Sequence, residues 1–503
     1  MSLVRLRAAT IPDVAGEISV PGYDRGRLQV GIVHFGAGAF HRSHQAMYVD
    51  RLMSSGQALD WAICAVDVLE AERGKRAIFH AQDGLYTMLV KEPDGTIEPR
   101  VIGSIIEYLF GPDEPGRVLD RLADPRTRIV SLTITEGGYN FIQTTGEFDA
   151  DNPAIRRDLA PGAEPGTVFG FVIEALRRRR ALGVPPFTVM SCDNIEGNGN
   201  VARTMFGAFA DLVEPGLGAW VRETVAFPNS MVDRITPVTT ADDIGQLRSG
   251  FGIDDRWPVV CEQFTQWVLE DEFPAGRPAW EDCGVQLVTD VMPYELMKLR
   301  LLNASHQALG YPGYLAGYRY VHEAAADPVF ADFLLGYMQL EARPTTLAAP
   351  GIDLDDYIST LLRRFANPAI GDTLARLCAA SSDRIPKWLV PVIRRNLATG
   401  GQVTRSAAIV ASWARYAEGV DEAGRPIEVV DALRDEMMSR ARRQRTRPLS
   451  FIEDDHLFGD ISQHAAFTGP YLSALESFHR LGARQTLLQL NEELAPSGCG
   501  QAS

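Results

Sequence analysis

Four polar side chains lie on one predicted, otherwise leucine-rich helix, PYELMKLRLLNASHQALG at residues 293–310: Glu295, Lys298, Asn303 and His306. At about 100° per residue, Glu295 and His306 lie about 60° and about 80° from Lys298 around the helix axis. Asn303 lies about 140° from Lys298, so one arc of about 140° contains all four side chains. Polar groups that gather on one side of an apolar helix need partners or a cavity. A solvated surface stripe is the alternative that this helix alone leaves open.

The residue types on this helix suit the activation of a substrate hydroxyl. Burial disfavours the charged form of a lysine and lowers its pKa, so Lys298 is a candidate general base near neutral pH. Asn303 is a candidate hydrogen-bond donor to a substrate oxygen on which negative charge develops. His306 is a candidate to orient the substrate hydroxyl.

The stretch HFGAGAFHRSH at residues 34–44 is similar to a phosphate-binding loop and also contains paired histidines. A dinucleotide fingerprint reads G-x-G-x-x-G; Gly36 and Gly38 match it, whereas His41 occupies the third position. A predicted strand precedes the loop and a predicted helix follows it, which is the context in which a helix N-terminus binds pyrophosphate. His41 and His44 have a spacing that can hold zinc, but no Cys, Asp or Glu nearby completes a ligand set. We expect no bound metal, and we expect His44 to serve packing or hydrogen bonding.

Acidic residues follow the second predicted strand, DWAICAVDVL, where dinucleotide-binding folds use a carboxylate to bind the adenosine ribose. The candidates are Asp67, Glu70 and Glu72. A carboxylate at this position disfavours the 2′-phosphate of NADP, which favours NAD as the cofactor. Arg73 and Lys75 lie beside these residues in the sequence and weaken that preference.

Polar groups also follow three later predicted strands: TEGG at residues 135–138, SCDN at 191–194 and MVDRITP at 231–237. Ligands of open α/β sheets bind outside the carboxyl ends of the strands, so these groups together predict an active-site crevice. Strands and helices alternate through this part of the chain, whereas helical spacing dominates after about residue 290. We therefore predict an α/β fold, with a Rossmann-type, doubly wound parallel sheet domain at residues 1–288. A mostly α-helical domain follows at residues 289–503.

The composition excludes several classes of protein. The chain of 503 residues has a formal net charge of −16 and a pI near 5.1. Such a protein is not suited to bind nucleic acid by neutralising phosphates, and anionic membranes would repel it. No apolar run approaches the roughly 18 residues of a membrane helix, and six scattered cysteines without a C-x-x-C pair favour reduced thiols. We expect a cytoplasmic protein that acts on a small molecule, as a monomer or weak oligomer.

Several motifs together identify a family. GAGAFHRSHQAMYVD, SLTITEGGY, TVMSCDN, FPNSMVDRITP, MKLRLLNASHQALGYPG and PGIDLDDYISTLLRRFAN resemble the mannitol dehydrogenase family of polyol-specific long-chain dehydrogenases. The resemblance extends over most of the chain. It is closest to the members that interconvert D-mannitol and D-fructose with NAD and without a metal.

The resemblance implies roles for the helix described above. In this family the lysine that matches Lys298 is the general base. The asparagines that match Asn194 and Asn303 form an oxyanion-type hole at the reacting carbon. His306 is expected to position the substrate hydroxyl, and Glu295 is expected to relay protons between Lys298 and solvent.

The resemblance also implies binding residues for the polyol and for NAD. Asp233 and Arg376 match positions that contact the polyol chain, and Arg384 stands where a close relative has lysine. Glu72 matches the acidic position that binds the adenosine ribose. The pyrophosphate loop is expected to consist of Gly36, Ala37, Gly38, Ala39, Phe40, His41 and Arg42.

Three alternatives stay open at the level of sequence. A hexuronate reductase, such as a fructuronate reductase, would share the fold and the helix, and Arg376, Arg384 and Lys387 leave room for a substrate carboxylate. Arabinitol or sorbitol is an alternative polyol substrate. A catalytically silent NAD-binding sensor is disfavoured, because Lys298 and the residues grouped with it are all present.

Overall fold

The computed structural model describes residues 3–142 and 145–494. The chain divides into two compact units, one of Met1–Glu92 with Thr96–Met292 and one of Pro93–Gly95 with Pro293–Ser503. The sequence places the domain boundary at residues 288 and 289, and the last strand of the first unit ends at Val288.

The first unit contains the strands, which number thirteen in the described part of the chain. In chain order they are β1 (Val4–Arg5), β2 (Val30–Phe35), β3 (Ala62–Asp67), β4 (Tyr86–Lys91), β5 (Ile97–Ile102), β6 (Ile105–Phe110), β7 (Ile129–Leu132), β8 (Thr188–Ser191), β9 (Ser230–Asp233), β10 (Ile253–Asp254), β11 (Val259–Glu262), β12 (Gln266–Glu270) and β13 (Gln286–Val288).

The helices of the first unit surround these strands. They are α1 (Ile11–Val14), α2 (Ala39–Ser43), α3 (Gln45–Ser54), α4 (Lys75–Ala81), α5 (Pro115–Ala123), α6 (Thr135–Gly138), α7 (Pro153–Asp158), α8 (Val168–Leu182), α9 (Asn198–Val213), α10 (Leu217–Thr224) and α11 (Ala241–Phe251). Short 3-10 turns occur at Ala8–Thr10, Arg25–Arg27, Glu70–Glu72 and Trp280–Cys283.

Five of the strands form one parallel sheet in the order β6-β3-β2-β7-β8. Numbered along the chain, these strands read 3-2-1-4-5, which is the strand order of a Rossmann sheet. The order reverses between β2 and β7, so the crevice of such a fold opens at the carboxyl ends of these two strands. The predicted doubly wound parallel sheet is confirmed.

Both faces of this sheet are buried, as parallel sheets require. On one face Ile32 packs in a core with Met47 and Leu52 of α3. On the other face Val33 and Phe35 belong to a second core. The near-continuous apolar runs of β2 and β3 follow from this double burial.

Three smaller sheets extend the unit. Their orders are β11-β4-β5, β13-β12-β9 and β1-β10. β4 pairs with β5 and β9 pairs with β12 in antiparallel directions, so antiparallel ladders flank the parallel sheet. β9 thereby presents Asp233, a predicted substrate ligand, at its end, paired in register with Gln266.

The second unit is helical: its described residues, 93–95 and 293–494, contain no strand. α12 (Met292–Met297) spans the division between the units and continues into a π-helical segment, Lys298–Asn303. The remaining helices are α13 (Ala304–Leu315), α14 (Val321–Ala326), α15 (Pro328–Tyr337), α16 (Leu354–Phe365), α17 (Leu374–Cys378), α18 (Ser381–Trp388), α19 (Val390–Thr399), α20 (Thr404–Tyr416), α21 (Arg434–Arg443), α22 (Asp455–Phe458), α23 (Ala465–Leu481) and α24 (Ala483–Glu493). A second π-helical segment, Met338–Ala342, follows α15, and 3-10 turns occur at Arg343–Thr345, Pro368–Ile370 and Ile461–Gln463.

The helix that carries the predicted chemistry is held by close packing. α13 packs against α17 and α20, and a Cβ on Gly310 would lie 3.2 Å from the Cys378 sulfur. The buried Glu341 carboxylate accepts hydrogen bonds from the backbone N–H groups of Arg405 and Ser406 at the start of α20. These contacts fix α13 in the helical unit. Among the described residues, no helix has the length and apolar character that a membrane crossing needs.

Candidate active site

The loop between β2 and α2 contains two glycines, Gly36 and Gly38, with different structural roles. Gly36 has φ +90°, and a Cβ there would lie 2.1 Å from the carbonyl oxygen of Thr133, which directly follows β7. Gly38 has φ −76°, and the nearest atom to an added Cβ would be the Gly36 oxygen at 3.8 Å. The positive φ and the close Thr133 oxygen therefore require glycine at position 36. At Gly38 the absence of a side chain leaves the backbone before α2 accessible.

His41 fills the place of the third glycine by stacking. Its ring lies on that of His34 in β2, with the two centroids 3.4 Å apart and the planes 13° from parallel. Burial lowers the pKa of His34 to about 3 and that of His41 well below its usual value, so both rings are neutral. Two flat, uncharged rings thus bring helix and strand together where other dinucleotide loops use a glycine.

His44 has separate surroundings. Its Nε2 lies 3.0 Å from the Gln266 carbonyl oxygen, and its ring packs between Phe40 and Trp267. The ring therefore takes part in both packing and hydrogen bonding. Among the residues that the structure describes, no three His, Cys, Asp or Glu side chains group in a way that could hold a metal ion.

Arg42 points into its own unit. It is buried, and its guanidinium lies 4.4 Å from the centre of the Trp257 ring and 5.2 Å from that of Tyr86. Its Nη1 donates to the Trp257 carbonyl oxygen. The side chain therefore anchors α2, and its expected part in holding pyrophosphate stays a prediction.

The acidic residues after β3 differ in what they contact. Asp67 is buried and accepts hydrogen bonds from the Ala37 N–H at 3.2 Å and the Tyr108 hydroxyl at 2.8 Å. Glu72 pairs with Lys75 at 2.6 Å, and about a third of its side chain is exposed (33%). Asp67 thus shapes the loop itself, a role that the sequence analysis did not assign. Its place at the end of β3 was the available signal.

The segment after β8 is joined by hydrogen bonds to the start of β9. The side chain of Asn198 donates to the Asp193 carbonyl oxygen at 2.9 Å and to the Ser230 carbonyl oxygen at 2.8 Å. The backbone that carries the exposed Asn194 is therefore held at the carboxyl end of β8. Asp233 is buried at the end of β9. Asn194 thus follows β8 of the parallel sheet, whereas Asp233 ends β9 in the separate sheet β13-β12-β9, so a shared crevice for the two residues stays a prediction.

In the second unit, the predicted helix carries its polar residues in buried positions. Glu295 lies in α12, Lys298 and Asn303 bound the π-helical segment, and these side chains are 7%, 8% and 3% exposed. A solvated surface stripe is therefore excluded. The arc worked out for a regular α-helix is wrong over this segment, because i→i+5 hydrogen bonds widen the turn. Residues five apart, such as Lys298 and Asn303, consequently lie closer to one face than 100° per residue predicts.

His306 follows on α13 and faces several cations. Its ring packs against Phe365 with the centroids 5.3 Å apart. Burial, with further contributions from Arg376, Arg384, Arg364 and Lys298, lowers its pKa well below the usual value. The imidazole is therefore neutral, and its nitrogens can serve one as donor and one as acceptor.

The two predicted substrate arginines lie next to each other. The Nη1 of Arg384 donates to the Arg376 carbonyl oxygen at 3.1 Å. The guanidinium of Arg376 donates to the Asp372 carboxylate at 2.6 Å, which raises the arginine pKa. Lys387 instead pairs with Asp383 at 2.6 Å, and both side chains are nearly half exposed.

Comparison with known proteins supports the family resemblance. Residues 30–282 match the mannitol dehydrogenase Rossmann domain, and residues 290–479 match the mannitol dehydrogenase C-terminal domain. The mannitol 2-dehydrogenase of Phaeosphaeria nodorum is 45% identical over 476 residues, covering 94% of this chain and 83% of the relative. That of Neosartorya fischeri is 43% identical over 498 residues, covering 97% and 99%.

Two solved structures have the same architecture. The Pseudomonas fluorescens mannitol 2-dehydrogenase ternary complex with NAD and D-mannitol superposes with a TM-score of 0.88 at 44% identity, covering 97% of this chain and all (100%) of that one. A substrate-free D-sorbitol dehydrogenase gives 0.89 at 37% identity, covering 96% and 100%. The predicted family is confirmed, and the chain belongs to the mannitol dehydrogenase family.

Proposed function

We propose that this chain is an NAD-dependent polyol dehydrogenase that oxidises D-mannitol at C2 to D-fructose and catalyses the reverse reaction. The observation that carries the proposal is the burial of Lys298 and Asn303 on one π-helical segment, near a neutral His306. π-helical turns inside α-helices occur frequently at functional sites. The family membership and the likeness to mannitol 2-dehydrogenases support the substrate.

The loop Gly36–Arg42 fits a dinucleotide. A Cβ at Gly38 would meet only the Gly36 oxygen, at 3.8 Å, so the backbone before the first turn of α2 is closely approachable. Backbone N–H groups at the start of a helix bind pyrophosphate. NAD bound there supplies the acceptor for the hydride that leaves C2 of the polyol.

Residues of the chain accept the proton of the substrate hydroxyl and stabilise the negative charge that develops on its oxygen. Lys298, once deprotonated, takes the proton of the C2 hydroxyl, and Glu295 relays it to solvent. The amides of Asn194 and Asn303 donate hydrogen bonds to the alkoxide that forms. His306 orients the hydroxyl. A base and preorganised donors can supply the polarisation that other alcohol dehydrogenases obtain from a metal, so the mechanism is metal-independent.

The polyol chain is held by Asp233, Arg376 and Arg384. Hydroxyl groups both donate and accept hydrogen bonds, so carboxylate and guanidinium groups are suitable partners for several hydroxyls in a row. The pairing of Arg376 with Asp372 supports this assignment, because it reduces the net positive charge that the arginine presents.

NAD is favoured over NADP by the charges after β3. Glu72 is the proposed ligand of the adenosine ribose. Lys75 pairs with Glu72 and Asp67, and Arg73 pairs with Glu70 and Asp113, so both cations near this position are already neutralised by carboxylates. A 2′-phosphate would meet an excess of carboxylates.

A hexuronate reductase is the second candidate, because Arg376 and Arg384 lie near His306. Their arrangement favours a neutral polyol: Arg376 is paired with Asp372, and Lys387 is paired with Asp383. Sorbitol is a further candidate, supported by the likeness to D-sorbitol dehydrogenase. The cytoplasmic location and the monomeric or weakly oligomeric state stay predictions.

A substrate panel tests the proposal. Initial rates are measured with D-mannitol, D-sorbitol, D-arabinitol, D-fructose and D-fructuronate, each with NAD or NADP in the matching oxidation state. We expect the highest kcat/KM for D-mannitol and D-fructose with NAD and NADH. The same rates after dialysis against a chelator test metal independence.

Two outcomes would contradict the proposal. A preference for fructuronate over fructose would indicate that Arg376 and Arg384 bind a substrate carboxylate. The substrate would then be a hexuronate and not a polyol. Loss of turnover after chelation, with recovery on adding a divalent metal, would contradict the metal-independent mechanism with Lys298 as the base.

A further inference from the structure

The loop after β7 contains a threonine in a conformation that favours glycine. Thr135, the first residue of α6, has φ +61°. Left-handed backbone is rare for β-branched residues, and such strain persists only where the surroundings hold it. The strained position follows a strand at the point where the strand order of the Rossmann sheet reverses.

The buried carboxylate of Asp193 holds this turn from the end of β8. One oxygen accepts the Thr135 N–H at 2.8 Å, and the other accepts the Ile134 N–H at 3.0 Å. The Tyr139 hydroxyl donates to the second oxygen at 2.8 Å. Both oxygens are therefore used on the loop, as charged hydrogen-bond acceptors that are stronger than neutral ones.

The same loop borders the dinucleotide loop. The Thr133 hydroxyl donates to the Gly36 carbonyl oxygen at 2.7 Å, and the Thr133 carbonyl lies where a Gly36 side chain would start. A displacement of Thr135 would therefore shift Gly36 as well, because only Ile134 separates Thr135 from Thr133, which contacts Gly36. Asp193 also directly precedes Asn194, the proposed hydrogen-bond donor to the alkoxide.

We propose that Asp193 is a positioning residue whose ionised carboxylate keeps the loops after β2 and β7 in their cofactor-binding geometry. It acts through the backbone at Ile134 and Thr135 and makes no contact with the reacting atoms. This role rests on the proposed dehydrogenase function, since it assigns the loops to the cofactor.

The charge of this carboxylate changes in the mildly acidic range. Burial, with a smaller contribution from Glu136, raises the pKa of Asp193 to about 6. The groups that face it are Glu136 and Tyr139 from the α6 turn and Cys192 next to it, and burial keeps the last two uncharged by raising their pKa values. Protonation turns one acceptor oxygen into a donor, so one of the loop hydrogen bonds is lost.

Stability and binding respond to this proton in opposite directions. Because the pKa of Asp193 is raised above that of the unfolded chain, its protonation favours the folded state as pH falls through about 6. The loop, however, loses an acceptor over the same range. Acidification through pH 6 is therefore expected to weaken cofactor binding without a fall in melting temperature from this group.

The test compares NADH affinity of the full chain between pH 5.5 and 7.5, by fluorescence titration, in wild type, Asp193→Asn and Asp158→Asn. Asp158 is the matched control, since its carboxylate accepts the Gly166 and Thr167 N–H groups at 2.9 and 2.8 Å in the same unit. If the protonated form binds about tenfold more weakly than the ionised form, the wild-type Kd rises about threefold on acidification. Asp193→Asn is expected to weaken binding about tenfold at pH 7.5 and to abolish this pH dependence.

The variant Thr135→Gly supplies a second, independent readout. Glycine adopts φ +61° without strain, so Thr135→Gly should make the loop less dependent on the carboxylate. It is expected to restore most of the NADH affinity to Asp193→Asn, and to flatten the pH dependence when made alone. If Asp193→Asn does not fold, the pH dependence of NADH binding by Thr135→Gly alone still tests the proposal.

Three results would overturn the proposal: an unchanged pH dependence in Thr135→Gly, wild-type affinity and pH dependence in Asp193→Asn, or an equal loss in Asp158→Asn. NADH binding is measured without any polyol. A chain that binds NADH with the expected pH dependence but oxidises no polyol would refute the proposed function and leave the role of Asp193 standing.

Discussion

Replacing Gly36 by alanine tests the account of the cofactor loop. The added Cβ would lie 2.1 Å from the Thr133 oxygen and 3.0 Å from the Thr133 carbonyl carbon. Both are backbone atoms that cannot rotate away. Left-handed backbone costs a non-glycine residue about 1–2 kcal/mol, and overpacking costs about 1–3 kcal/mol. We expect Gly36→Ala to lower the free energy of unfolding by about 2–5 kcal/mol, together with a loss of NADH binding.

Gly38→Ala is the matched control in the same loop. Its φ of −76° suits alanine, and the nearest atom to the new Cβ is 3.8 Å away. We expect a free energy of unfolding within about 0.5 kcal/mol of wild type, but weaker NADH binding, because the methyl group enters the space assigned to pyrophosphate. Urea unfolding and NADH titration measure both quantities. The reasoning is refuted if Gly36→Ala is as stable as wild type, or if both variants lose stability equally.

Two further predictions concern the cofactor and the reacting carbon. Glu72→Ser should raise the KM for NAD about tenfold while changing that for NADP little, since only NAD uses a free 2′-hydroxyl; steady-state kinetics with both cofactors check this, and a parallel rise for NADP would argue against the ribose contact. Asn303→Ala should lower kcat about 10²- to 10³-fold with an unchanged NADH Kd, as expected for a donor to developing negative charge. Turnover close to wild type in that variant would remove Asn303 from the mechanism.

Much of the Rossmann sheet is readable from sequence, because buried parallel strands are continuous apolar runs. β2, β3, β7 and β8 all appear as such runs next to glycines or acidic residues. The sheet edge β6 was missed, since IIEYLF mixes a charged residue into the run. The hairpin of β4 and β5 was missed as well. Its turn contains Pro93, Asp94 and Gly95, and Gly95 has φ +87°, which is a readable turn signal.

The residues of the candidate site could be predicted from their types and spacing. Their helix geometry and their hydrogen bonds to backbone groups far away in sequence could not. Residue type and spacing singled out Glu295, Lys298, Asn303 and His306 but left a solvated surface stripe as an alternative. The π-helical segment between Lys298 and Asn303 could not be predicted, because a regular helix was assumed and the altered hydrogen bonding has no residue signature. The partners of Asp67 and Asp193 could not be predicted either, since Ala37 and Thr135 lie 30 and 58 positions away in sequence.

The most direct test of the central claim, that Lys298 is the base, is the turnover of Lys298→Ala. We expect kcat for D-mannitol oxidation to fall about 10³-fold, within the range that general-base catalysis contributes, while the NADH Kd stays at the wild-type value. Lys387→Ala, which removes a surface lysine paired with Asp383, is the control and should keep wild-type turnover. Added primary amine should restore part of the lost rate by supplying the missing base. Near-wild-type turnover in Lys298→Ala would contradict the account.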